Sequence, residues 1–158
     1  RVAALVGGLR IDVGFHAHNN LGMAIANSVA AVEAGAKIID GTTRGMGAGA
    51  GNCQLEVIVA VLQKMGYSVN LDLYRLMDVS DDVVAHIMTK SQEIGSVELV
   101  SGIAGVFSGF APHVRKAALQ FGVDPRDIFI ALGKLNVVAG QEDMIIDVAA
   151  ELAKKKRQ

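Results

Sequence analysis

Tryptophan is absent from this 158-residue chain, proline occurs twice and cysteine once. With Cys53 as the single thiol no internal disulfide can form, which fits a reducing, cytoplasmic setting. A charge of one sign is also missing. Fifteen basic residues face sixteen acidic ones, so the net charge is −1 and there is no electrostatic case for nucleic acid or an anionic membrane. No apolar run reaches the roughly 18 residues that span a bilayer. The opening stretch, "RVAALVGGLRIDVGF", is too short and too broken by charge and glycine for a signal peptide. What is abundant is apolar side chain, 51% of residues, and glycine, 18 residues. The first supports a real core and excludes disorder. The second points to tight turns feeding helices rather than to a β-sandwich.

Periodicity places the elements. Residues 2 to 9 read as the end of a helix stopped by Gly7-Gly8, and 11 to 16, "IDVGFH", as a short buried strand. In "NLGMAIANSVAAVEAG" the residues Leu21, Ile25, Val29 and Val32 form a helical stripe, with Asn19 or Asn20 as cap and Gly35 as stop. Residues 36 to 42 form a second strand. The loop "RGMGAGAGN" leads to a helix striped by Leu55, Ile58, Val59 and Leu62 and stopped by Gly66. Strand, helix, strand, helix with short links predicts a parallel sheet covered by helices. Two such strands need neighbours to be stable.

After residue 68 the pattern turns helical. Ser80-Asp81-Asp82 is expected to open a helix that ends at Gly95; another begins near Pro112; Asp124-Pro125 caps a third. The last carries Met144, Ile145, Val148 and Leu152 on one face and ends in basic residues that suit the helix dipole. The expected division is therefore 1–68 and 69–158.

The chemistry gathers at "FHAHNN". Residues i and i+2 of a strand share a face, so His16 and His18 project together. They do so at a carboxyl strand end, where α/β proteins build their sites. Two imidazoles aimed at one point begin a divalent metal site; two partly buried histidines that merely alternate are the bland alternative. A carboxylate would complete the site, yet Asp40 is less well placed at the rim than Thr42, and Asp12 lies too far down its strand. Asn52 either caps the next helix or faces the site, and Arg44 either meets an anionic substrate or is solvated. The glycine loop formally fits G-x-G-x-x-A with Asp72 downstream, a weak dinucleotide fingerprint, or else marks close backbone approach. Cys53 lacks a dedicated base, and His86 and His113 stand without companions.

The run from Val13 to Tyr67, with H-x-H-N-N-L-G, A-N-S, I-D-G-T and G-A-G-N-x-x-L-E in order, resembles the last two β/α units of the 4-hydroxy-2-oxovalerate aldolases. These belong to a superfamily of metal-dependent TIM-barrel lyases and synthases that includes hydroxymethylglutaryl-CoA lyase. "GQEDMIIDVA" is similar to the helical communication region of the aldolases. The resemblance implies an α/β fold: the last two strands of a (β/α)8 barrel over 1–68, then a helical communication domain over 69–158. It implies that His16 and His18 bind a divalent ion, most commonly Mn2+, that acts as a Lewis acid in cleaving 4-hydroxy-2-oxoacids to pyruvate and an aldehyde. Asn52 and Arg44 would be supporting or substrate-binding groups. The implied partners are an acylating acetaldehyde dehydrogenase and an N-terminal half of the barrel, or a second copy of the chain. Two departures stand out. The family's D-R-[DE]-G strand, with its aspartate ligand, arginine and acid–base histidine, is not in this sequence. Phe107, in "IAGVF", stands where the family carries a tyrosine. The alternative reading is a non-catalytic module that retains the docking surface.

Overall fold

The computed structural model describes residues 11–157, so the helix end expected over residues 2–9 lies outside the described residues. The chain divides into two compact units, residues 1–93 and 94–158.

In the first unit, strand β1 (Gly14–His16) pairs in parallel with β2 (Ile38–Asp40), in the register Gly14↔Ile38, Phe15↔Ile39, His16↔Asp40. Both are shorter than the hydrophobic pattern predicts. Each ladder position needs a hydrogen-bonding neighbour, and among the described residues these two strands have only one another. The crossover helix α1 (Ala24–Glu33) starts later than expected. Gly22, at φ 71°, turns the chain first and leaves Leu21 and Met23 half exposed. The apolar stripe is therefore Ile25, Val29 and Val32, packed on Ala17, Cys53, Ile58 and Leu62. The Oδ1 of Asn19 accepts the Ala24 N–H at 3.2 Å, and Gly35, at φ 99°, ends the helix. Helix α2 (Leu55–Lys64) buries Ile58, Val59 and Leu62 as its spacing predicts.

Helix α3 (Leu73–Val79) corrects the expected start at Ser80. The Asp72 carboxylate caps it by accepting the Arg75 N–H at 3.2 Å, and the coil continues through a π-helical turn, Ser80–Val84, to Ile87. The Ser80 hydroxyl donates to Glu56 at 3.3 Å, so it is spent on a tertiary contact and not on a cap. Because α3 packs on α2, the division falls after Glu93 rather than at residue 68.

The second unit holds α4 (Ser96–Ala104), α5 (Ala111–Phe121), α6 (Pro125–Lys134) and α7 (Met144–Lys156). Phe110, Val114, Ile128, Phe129, Leu132 and Ile145 form its core, each at most 1% exposed. Burying side chains of this size stabilises the unit by about 1.5–3 kcal/mol each before chain entropy is counted. Asp124 caps α6 by accepting the Arg126 N–H at 2.8 Å, with Pro125 in the first turn as expected. Helix α4 is an addition to the sequence reading. Among the described residues the fold is α/β and mostly helical, with one small parallel sheet. No helix among the described residues is long and apolar enough to cross a membrane.

Candidate metal centre

The parallel pair delivers His16 at the carboxyl end of β1, directly opposite Asp40 at the end of β2. Ala17 turns inward and is buried, so His18 returns to the side of His16. The two imidazoles stand edge to face, with centroids 5.0 Å apart and planes at 72°. Burial, reinforced by the neighbouring His16 ring, lowers the pKa of His18; hydrogen bonds with the backbone at Gly51 and Ala48 work against that shift but do not reverse it.

The glycine loop closes over this strand end. The Cys53 N–H donates to the Ala17 carbonyl at 2.9 Å, and the Asn19 N–H donates to the Gly51 carbonyl at 2.8 Å. Thr42 is held by the loop: its hydroxyl donates to the Met46 carbonyl at 2.7 Å. An antiparallel bridge sets Asn52 opposite His18, and directly opposed residues project to the same side. The Nδ2 of Asn52 donates to the Met46 carbonyl at 3.2 Å, while its Oδ1 is buried without a hydrogen-bond partner. The loop glycines follow from this crowding. A Cβ at Gly47 would stand 2.5 Å from Asn52 Nδ2, and one at Gly51 would overlap the Gly45 carbonyl. This is the close-approach reading of the loop. Asp72, the acid of the dinucleotide reading, is occupied as the α3 cap.

Arg44, open in sequence between an anionic substrate and solvent, is held by side chains of its own unit. Its backbone is left-handed, at φ 56°, and its N–H donates to both Glu56 oxygens at 2.9 and 3.1 Å. Its guanidinium donates to Asp81 at 3.0 Å and Ser80 at 3.5 Å. It is thus committed to pinning the loop on the π-helical turn. Phe107 lies in the second unit, half exposed, with its ring edge-to-face on Phe110 at 5.6 Å. Cys53 is fully buried, its thiol pKa raised by desolvation, with the Ser28 hydroxyl donating to Sγ at 3.4 Å.

The group that sequence reasoning passed over is Asp40. Its Oδ2 lies 2.8 Å from His16 Nδ1. Strand register alone puts the two across from one another, and register is not visible in two three-residue strands read separately. Among the described residues no three His, Cys, Asp or Glu side chains converge as a cation cage. The two imidazoles and the buried, unsatisfied Asn52 oxygen are nitrogen and oxygen donors of the types a borderline divalent cation takes.

Residues 1–83 match the family model described as HMGL-like, and residues 92–154 match that of a DmpG-like communication domain. Curated relatives share more than half of the sequence. The 4-hydroxy-2-oxovalerate aldolase of Bacillus thuringiensis (strain Al Hakam) is 56% identical over 158 residues, covering 100% of this chain and 46% of that protein. That of Carboxydothermus hydrogenoformans is 54% identical over 158 residues, covering 100% and 47%. That of Pectobacterium atrosepticum is 55% identical over 155 residues, covering 98% and 45%. The chain spans about half the length of the curated relatives it matches.

Proposed function

Since the chain belongs to the HMGL-like family, we propose that it supplies the histidine pair of a divalent-metal site in a class II aldolase. The reaction is retro-aldol cleavage of a 4-hydroxy-2-oxoacid such as 4-hydroxy-2-oxovalerate to pyruvate and an aldehyde. The observation that carries this reading is the pairing of His16 and His18 at 5.0 Å, opposite the unsatisfied Asn52 oxygen, at the reactive end of a parallel strand. In this reading β1 and β2 are the last two strands of a (β/α)8 barrel, completed by a preceding half.

His16 and His18 would hold the cation, with Asn52 as a neutral oxygen donor. When bound, the cation, most simply Mn2+, supplies Lewis acidity at the keto and carboxylate oxygens of the substrate. The chain's own part is to hold the two imidazoles together at the strand end, edge to face with centroids 5.0 Å apart. The side-chain-free Gly47 leaves room for the Asn52 amide, so the loop fixes that group against the strand end. Arg44 anchors the loop through Asp81. Phe107 has no hydroxyl and moves no proton. The aspartate ligand and the acid–base group are assigned to the preceding half of the barrel.

The test mixes the chain with a polypeptide carrying that half of a relative, Mn2+ and 4-hydroxy-2-oxovalerate. Metal-dependent pyruvate release, lost with His16→Ala or His18→Ala, is the expected result. A mixture that assembles and binds Mn2+ but releases no pyruvate refutes the catalytic reading. The match of residues 92–154 to a communication domain supports a second role, docking an acylating aldehyde dehydrogenase. Co-purification with that enzyme should survive both histidine substitutions.

A further inference from the structure

We propose that Asp40 is a positioning residue: it fixes the imidazole of His16 in the tautomer that turns a bare Nε2 toward a divalent cation. The inference rests on the reading of His16 and His18 as ligands and assigns a role to a third residue. A carboxylate oxygen only accepts hydrogen bonds, so the 2.8 Å contact from Asp40 Oδ2 requires the proton on His16 Nδ1. A neutral ring with Nδ1 protonated carries its lone pair on Nε2. The contact is built by the fold rather than by chance rotamers, since His16 and Asp40 are register partners across the parallel ladder. The edge-to-face packing of His18 on His16 restrains the same ring from a second direction. Carboxylates in this position orient metal-binding histidines and raise their basicity.

The competing explanation is an ordinary surface contact, because the two side chains are 42% and 62% exposed. Such a pair adds little to stability. It also predicts no effect on metal binding, and that difference can be measured. Long-range 1H–15N NMR of the full chain at about pH 8, above the usual histidine range, reads the tautomer of each ring directly. Paramagnetic broadening during a Mn2+ titration reads the affinity.

The wild-type chain should show His16 with the proton on Nδ1. Asp40→Ala should move it to Nε2 and weaken Mn2+ binding about 10- to 100-fold. Asp40→Asn keeps an acceptor oxygen, and should keep the tautomer while losing only part of the affinity. A wild-type His16 protonated on Nε2 overturns the proposal. So does an Asp40→Ala chain that binds Mn2+ as the wild type does, while His18→Ala does not. If wild type and His18→Ala respond to Mn2+ alike, the metal reading itself falls, and this proposal with it.

Discussion

Gly133→Ala is a substitution for which sequence and structure predict opposite signs. Position 133 lies inside α6, near its C-terminal end. From the sequence alone, replacing a helical glycine by alanine should stabilise by up to about 1 kcal/mol, through lost freedom of the unfolded chain and better helix propensity. In the structure α6 crosses α4 at this point. A Cβ on residue 133 would lie 2.5 Å from the Ala104 carbonyl oxygen and 3.0 Å from the Ala104 Cβ. Ordinary contact begins near 3.4 Å, so the two helices would have to separate by about 0.9 Å at the carbonyl, the difference between 3.4 and 2.5. The obstacle is backbone and cannot rotate away. Overpacking of this kind costs about 1–3 kcal/mol. Set against the propensity gain, the net loss is about 1 kcal/mol, or roughly 4–8 °C in the melting temperature of a unit of this size. The assay is thermal and urea unfolding of the full chain, with amide exchange in α4 and α6 to assign the transition. A rise in melting temperature would refute the close approach of the two helices.

Burial and the raised pKa of Cys53 predict an inert thiol: Ellman's reagent should label it only as fast as the first unit opens, and prompt labelling of the native chain would contradict its place in the core. At Asp124, hydrogen bonds from Arg126 lower the carboxyl pKa to about 2 from its ordinary 3.8. A depressed pKa contributes stability above the ordinary value and loses it as pH falls through the folded one. Asp124→Asn should therefore lower the melting temperature at pH 7, and the gap to wild type should close between pH 4 and 2; a gap that persists unchanged at pH 2 would assign the effect to something other than the ionised cap.

Much of the site was legible because it is local. A two-residue spacing in extended backbone favours one side for His16 and His18, and although β1 ends at His16 the bridge to Asn52 keeps His18 there. The glycines of the loop are informative for the same reason, since only a tight approach explains so many in ten residues. Helix α2 and the Asp124-Pro125 cap were equally readable, being set by short-range period and capping. The start of α3 is hidden in sequence because Ser80 looks like a cap, whereas Asp72 caps the helix and the Ser80 hydroxyl goes to Glu56. Arg44 was open between substrate and solvent because its partner Asp81 is 37 residues away.

By itself, then, the sequence determined a strand end carrying two imidazoles, a crowded glycine loop and a run of helices. All of these follow from interactions between residues a few positions apart. Only the tertiary structure decided which acid faces which base: Asp40 on His16, Asp81 on Arg44, Asp72 on its own helix. It also decided that α3 joins the first unit and not the second. Strand register and helix packing are chosen by the best total burial and hydrogen bonding over the whole unit, and no window of sequence carries that sum.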